Sequence, residues 1–213
     1  TVTPNTITFR LIDSQGNGLA GGVASFDNGS GRTTIGTTDA NGYVCVSSPV
    51  NYCSYCSADA LRLSFRGGQK GWGNLAAASN PVLVAQTTKV TLNLLDHNGN
   101  YMSGGAAYYN NGSGMKLLGT TTNSAGTNPQ VELLPGNYNY GSPGAFAINW
   151  KCRSQANNVN VGSGPSQSYN FNTTLVTVNL YTDVTHTTPV SGGIAGYDPG
   201  CGLSNAISLS CPC

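Results

Sequence analysis

A reactive site in this chain of 213 residues would have to be built from eight acidic residues, two histidines and seven cysteines. Hydrolysis of a glycoside needs two carboxylates flanking one bond. Glu132 is the only glutamate, and Asp13 and Asp96 occupy matching turns in two separate repeats, so they are expected far apart. Serine-type chemistry needs a positioned histidine, yet His97 and His186 both fall in or near expected turns. "DSQGNG" (13–18) and "DHNGN" (96–100) echo the start of a calcium loop. Such a loop ends on a bidentate glutamate at its twelfth position, where this chain has Ala24 and Ala107. "CSYC" (53–56) and "CPC" (211–213) have spacings zinc can use, but in a chain with extracellular character short spacings more often form disulfides. No His follows Cys56, which excludes haem attachment by that motif. The expectation is no catalytic residue, no metal and no cofactor.

The cysteines point to an oxidising compartment instead. Cys45, Cys53, Cys56, Cys152, Cys201, Cys211 and Cys213 are the disulfide candidates. Their number is odd, so at least one is free or bonded to another chain. Three sequons, at Asn28, Asn111 and Asn172, fit the N-glycosylation acceptor, although Asn-Gly at the first two also makes a hairpin turn. Tyr101, Tyr108, Tyr109, Tyr138, Tyr140 and Trp150 gather in one stretch, where they either stack on sugars or pack across strands.

Composition narrows the partners. Only 8% of residues are charged and the net charge is +1, against about 25% charged in ordinary soluble domains. The nine Lys and Arg residues are scattered, so neither a nucleic-acid face nor a polybasic membrane patch is expected. No apolar run approaches the roughly 20 residues of a membrane helix. A chain opening "TVTPNT" reads as a processed product, its signal peptide already removed.

The elements that must carry these groups are written as a repeat. "GGVASFDNGSG" begins at residue 21 and "GGAAYYNNGSG" at residue 104, within a gapless match of Ile7–Gly31 to Val90–Gly114 at an offset of 83. A third version, "SGGIAGYDPG", begins at 191 after "LVTVNLYTDVTHTTPV". "TITFRLID", "KVTLNLLD" and "LVTVNLYT" each alternate aliphatic with polar residues, the signature of a strand with one buried face. No helical period lasts more than about two turns. The expected fold is all-β: tandem β-sandwiches over 1–87 and 88–173, with a partial third unit over 174–213 that serves assembly or carries disulfides.

"GTTDANGYV" (36–44) and "LPGNY" (134–138), with the order of the strands around them, resemble the carboxypeptidase-regulatory-like and prealbumin-like domains of prokaryotic extracellular surface proteins. The resemblance covers both full repeats. It implies seven-stranded Ig-like sandwiches. In some domains of that kind a first-strand Lys is joined to a last-strand Asn, promoted by a buried acid. Here the resemblance offers Lys89 with Asn170 or Asn172, but the acid expected after "GNY" is missing.

Architecture then sets the expected function: a non-enzymatic extracellular or cell-surface structural protein. It would be a subunit of a self-assembling filament or appendage, joined to copies of itself by strand pairing or disulfides. The alternatives are an adhesin or carbohydrate-binding array that meets glycans or other cell-surface components, and an accessory piece of a larger secreted enzyme.

Overall fold

The structure, a computed structural model, describes residues 6–27, 29–47, 60–73, 80–139, 144–151, 153–190, 192–195 and 207–208. It is all-β, with tandem Ig-like, prealbumin-like β-sandwiches followed by a partial third unit.

The first unit holds β1 (Thr6–Ile12), β2 (Val23–Asp27), β3 (Arg32–Thr37), β4 (Tyr43–Ser47), β5 (Leu61–Phe65), β6 (Gly68–Trp72) and β7 (Val82–Gln86). They form two sheets, in the orders β4-β1-β7 and β3-β2-β5-β6. β1 runs antiparallel to β4 and parallel to β7. Alternation does what period two demands: Ile7, Phe9 and Leu11 turn inward and are fully buried. They meet Leu61, Leu63 and Phe65 of the facing sheet.

The second unit repeats the arrangement with β8 (Thr88–Leu95), β9 (Ala106–Asn110), β10 (Met115–Thr120), β11 (Gln130–Leu133), β13 (Phe146–Trp150), β14 (Arg153–Asn157) and β16 (Ser166–Asn172). Its sheets are β11-β8-β16 and β10-β9-β13-β14. An added ribbon pairs β12 (Gly136–Tyr138) with β15 (Val159–Val161). The second core gathers Val90, Leu92, Leu94, Phe146, Ile148 and Phe171.

The duplicated Gly-Gly pair has a geometric cause. Its first glycine takes positive φ, +91° at Gly21 and +89° at Gly104. Its second lies against the core: a Cβ on Gly22 would sit 2.8 Å from Leu11 Cδ2, and one on Gly105 2.9 Å from Ile148 Cγ2. The buried hydroxyls of Thr38 and Thr121 accept the Gly22 and Gly105 N–H groups at 2.8 and 2.9 Å. The Thr of "GTT" and the Gly-Gly pair are therefore one device used twice.

The third unit starts the same way and then departs. An isolated bridge closes the corresponding turn in all three copies: Ile12 with Gly18, Leu95 with Tyr101, Tyr181 with Pro189. Gly192 has φ +86°, as Gly21 and Gly104 do. β17 (Ile194–Ala195) and β18 (Ile207–Ser208) form a short antiparallel pair. Residues 174–180, expected from their alternation to be a half-buried strand, have no ladder among the described residues. Leu175, Val176, Val178 and Leu180 are exposed, Val176 at 75%. Alternation specifies which face a strand buries, but a strand also needs neighbours to pair with. The strands that flank β1 and β8 have no counterpart here among the described residues.

Candidate functional site

The candidate site is the contact between the units, and it is built on consecutive residues of one segment. Strand geometry sends successive side chains to opposite faces. Leu133 enters the core of the second unit, while Leu134, 1% exposed, belongs to the core of the first. Gly68 makes room for this crossing: a Cβ there would overlap the Tyr138 hydroxyl and lie 3.1 Å from Leu134 Cβ. The buried Tyr138 donates its hydroxyl to the Leu134 carbonyl at 2.7 Å.

Glu132 fixes the polar edge of the contact. Its carboxylate accepts from the Ser14 hydroxyl at 2.7 Å and the Ser14 amide at 3.2 Å, and it also takes the Thr87 hydroxyl. Arg66 Nη1 donates to the Glu132 carbonyl at 3.3 Å. A cleft of about 210 Å³ beside it is lined by Ser14, Gln86 and Thr87 from the first unit and by Thr88, Pro135 and Pro165 from the second. The sequence marks Glu132 only as the chain's single glutamate. Its role comes from a contact 118 residues away, which no local motif records.

The turn carboxylates serve backbone. Asp13 accepts from the Gln15 and Asn17 amides at 2.8 Å, with Asn17 Nδ2 at 3.0 Å. Asp96 repeats this with Asn98 and Asn100. The hydrogen bond from the Asn17 side chain holds the Asp13 carboxyl below its usual range, and that from the Asn100 side chain does the same for Asp96. Asp183 accepts from the Thr185, Thr187 and Thr188 amides. The Thr187 amide first, then the Thr185 hydroxyl, hold its carboxyl far below the ordinary range. These are Asx-type turns with their acceptors filled. No group of three or more His, Cys, Asp and Glu side chains poised for a metal is found among the described residues. His97 is an exposed turn residue, and His186 lies edge-on to Tyr181.

The other expected sites separate. Lys89 faces Ser166 on one side and Glu132 on the other, while Asn170 faces Asn93, four residues further along β8. Asn93 Nδ2 donates to Asn170 Oδ1, and Asn128 Nδ2 to Asn93 Oδ1, both at 2.8 Å. In place of the Lys–Asn partnership that the family resemblance implies stands a chain of amides, buried at Asn128 and Asn93 and exposed at Asn170. Cys45 is exposed on β4, without a disulfide partner among the described residues, its Sγ 3.5 Å from Thr8 Oγ1. Cys53, Cys56, Cys152, Cys201, Cys211 and Cys213 lie outside the described residues, as do Asn28 and Tyr140. Asn111 sits in the β9–β10 hairpin with its Oδ1 taken by the Ser113 amide, and Asn172 is exposed at the end of β16. The aromatic cluster does not form one platform. Tyr138 is buried, and Tyr109 and Trp150 pack against the second core.

No helix among the described residues is long and apolar enough to cross a membrane. The class that fold and site define is a tandem β-sandwich protein with a built contact between its units. No family model matches the chain, and no curated protein does. Solved structures give distant likenesses. The Bacillus anthracis TIE protein is 10% identical over 96% of this chain and 41% of its own, with a TM-score of 0.27. A mutant of the shaft pilin SpaA from Lactobacillus rhamnosus GG is 12% identical over 76% of this chain and 99% of its own, with a TM-score of 0.27. A streptococcal ancillary pilin is 10% identical over 99% and 60%, with a TM-score of 0.28. The chain thus spans less than two thirds of the first and third of these. At such scores the fold is defined by the strand pairing above, not by these likenesses.

Proposed function

We propose that the chain is a non-enzymatic structural subunit of an extracellular filament or surface appendage. It is divided into units 1–87, 88–173 and 174–213 and coupled to a neighbouring subunit through the open third unit. The observation that carries this reading is the exposed aliphatic row Val176, Val178 and Leu180, whose counterparts in the first two units, Ile7, Phe9 and Leu11 and then Val90, Leu92 and Leu94, are core residues of paired strands. An unpaired edge of this kind is a template for a strand from another chain. The neutral, hydroxyl-rich surface and the filled turn acceptors further support a load-carrying module over a reactive one. Immunogold electron microscopy of the producing cells tests the reading. Label is expected along extracellular fibres or surface projections. Label confined to the cell interior, or to monomers shed into the medium, would refute it.

A further inference from the structure

The polar contact between the first two units has an open counterpart, among the described residues, at the far end of the second. Adding 83 to the turn residues Asp13, Ser14 and Gly16 gives Asp96, His97 and Gly99. Pairing of the last strand with the first sets the second offset. Thr8 faces Val82 and Thr91 faces Ser168, so 86 carries Gln86, Thr87 and Thr88 to Asn172, Thr173 and Thr174. Those six residues line an open cleft of about 580 Å³, with Leu175 at its edge. Its filled counterpart, where Glu132, Pro135 and Pro165 have come in from the next unit, retains only about 210 Å³.

The strand that would fill it can be specified. In the second unit β11 runs antiparallel to β8, with Glu132 opposite Lys89 and Val131 opposite Val90. The same offset of 86 places Leu175 at the Lys89 position and Val176 at the Val90 position. A strand added along 174–177 in that register would carry its acid opposite Leu175. There it would reach the His97 side chain, which stands where Ser14 stands, and the Thr173 hydroxyl, which stands where Thr87 stands. The residue beside the acid would meet the exposed Val176. Histidine in place of serine gives the open cleft a side chain that can pair with a carboxylate as a cation as well as a hydrogen-bond donor.

We infer that the cleft of Asp96–Gly99 and Asn172–Thr174, together with the open strand 175–180, is a docking site for a carboxylate-bearing extended strand of a neighbouring subunit. The occupant is a segment of the β11 type: aliphatic, then glutamate, then aliphatic. The inference rests on the proposed coupling through the third unit and names its partner strand. A folded second copy has no such strand to offer, because Glu132 is the only glutamate of the chain and already binds Ser14 and Thr87.

The test uses the full chain and a fluorescent peptide of residues 127–136, TNPQVELLPG, the one sequence shown to fit an equivalent site. Saturable binding is expected by anisotropy. A peptide with Glu132→Gln should bind at least about tenfold more weakly, since a charge-assisted bond is lost. His97→Ala and, independently, Thr173→Val in the protein should weaken the native peptide while leaving the melting curve unchanged. Excess of a chain carrying both His97→Ala and Thr173→Val, which does not itself take up the peptide, should not displace it from the wild-type protein. Absence of saturable binding, equal affinity of the Glu and Gln peptides, indifference to both protein substitutions, or displacement by that folded chain would each overturn the inference. Fibres on cells without this selectivity sink only the inference, whereas selective binding without surface fibres sinks only the structural role.

Discussion

Leu133 and Leu134 are neighbours in sequence and members of different cores, so truncating each should unfold a different unit. Leu134→Ala removes three buried carbons from the core of Ile7, Phe9 and Leu11. At about 0.8 kcal/mol per buried CH₂ the transfer loss alone is about 2.4 kcal/mol. A partly relaxed cavity brings the total into the range of roughly 2–5 kcal/mol. A unit of this size has roughly 4–13 kcal/mol of stability in all, so the loss is a large fraction. For such a domain it lowers the melting midpoint by about 8 °C or more. The chain supplies its own reporters, because its two tryptophans fall one to a unit. Trp72 packs on the first core, edge-on to Phe9 with ring centroids 5.8 Å apart, and Trp150 packs on the second. In a Trp150→Phe background, Trp72 fluorescence should report an early transition for Leu134→Ala. In a Trp72→Phe background, Trp150 should report the early transition for Leu133→Ala. Refutation would be a Leu134→Ala protein in which Trp150 moves and Trp72 does not, or a change in the Trp72 midpoint equivalent to less than about 1 kcal/mol.

Three further outcomes follow from the geometry. Glu132→Gln and Ser14→Ala should each cost about 1–2 kcal/mol, and a double-mutant cycle by urea unfolding should show coupling between them, with additivity counting against the contact. Gly22→Ala and Gly105→Ala force a Cβ against core side chains and should each cost about 1–3 kcal/mol, read by calorimetry, whereas Gly126→Ala meets open space and should be close to neutral. The hydrogen bonds to Asp13, Asp96 and Asp183 lower their folded-state pKa values, so the stabilisation they give is present above the unfolded value of 3.8 and is lost as pH falls through the folded one. Carbon NMR should find the Asp183 carboxyl titrating well below the ordinary value of 3.8, and a midpoint at that value would contradict its hydrogen bonding.

The sequence states the fold through what repeats. Alternation in "TITFRLID" and "KVTLNLLD" names the inward residues of β1 and β8, and the Gly-Gly pair marks the entry to β2 and β9. It misreads Asn93, polar by type yet buried, because its partners Asn128 and Asn170 lie 35 and 77 residues away. It also misreads 174–180, since alternation encodes a face and not the presence of a neighbour. The contact between units was the least legible part. Nothing local distinguishes Leu134 from Leu133, and the meaning of Glu132 depends on a turn in the other unit.

Coupling through the third unit is the central claim, and incorporation into native assemblies tests it most directly. The wild-type chain and a Val176→Asp, Val178→Asp variant are expressed in the producing cells, and surface material is sheared off and sized. Both side chains are already exposed, so the variant should melt as the wild type does. The account predicts wild-type chain in the high-mass sheared fraction and variant chain left as free monomer. Equal incorporation of the two would contradict it.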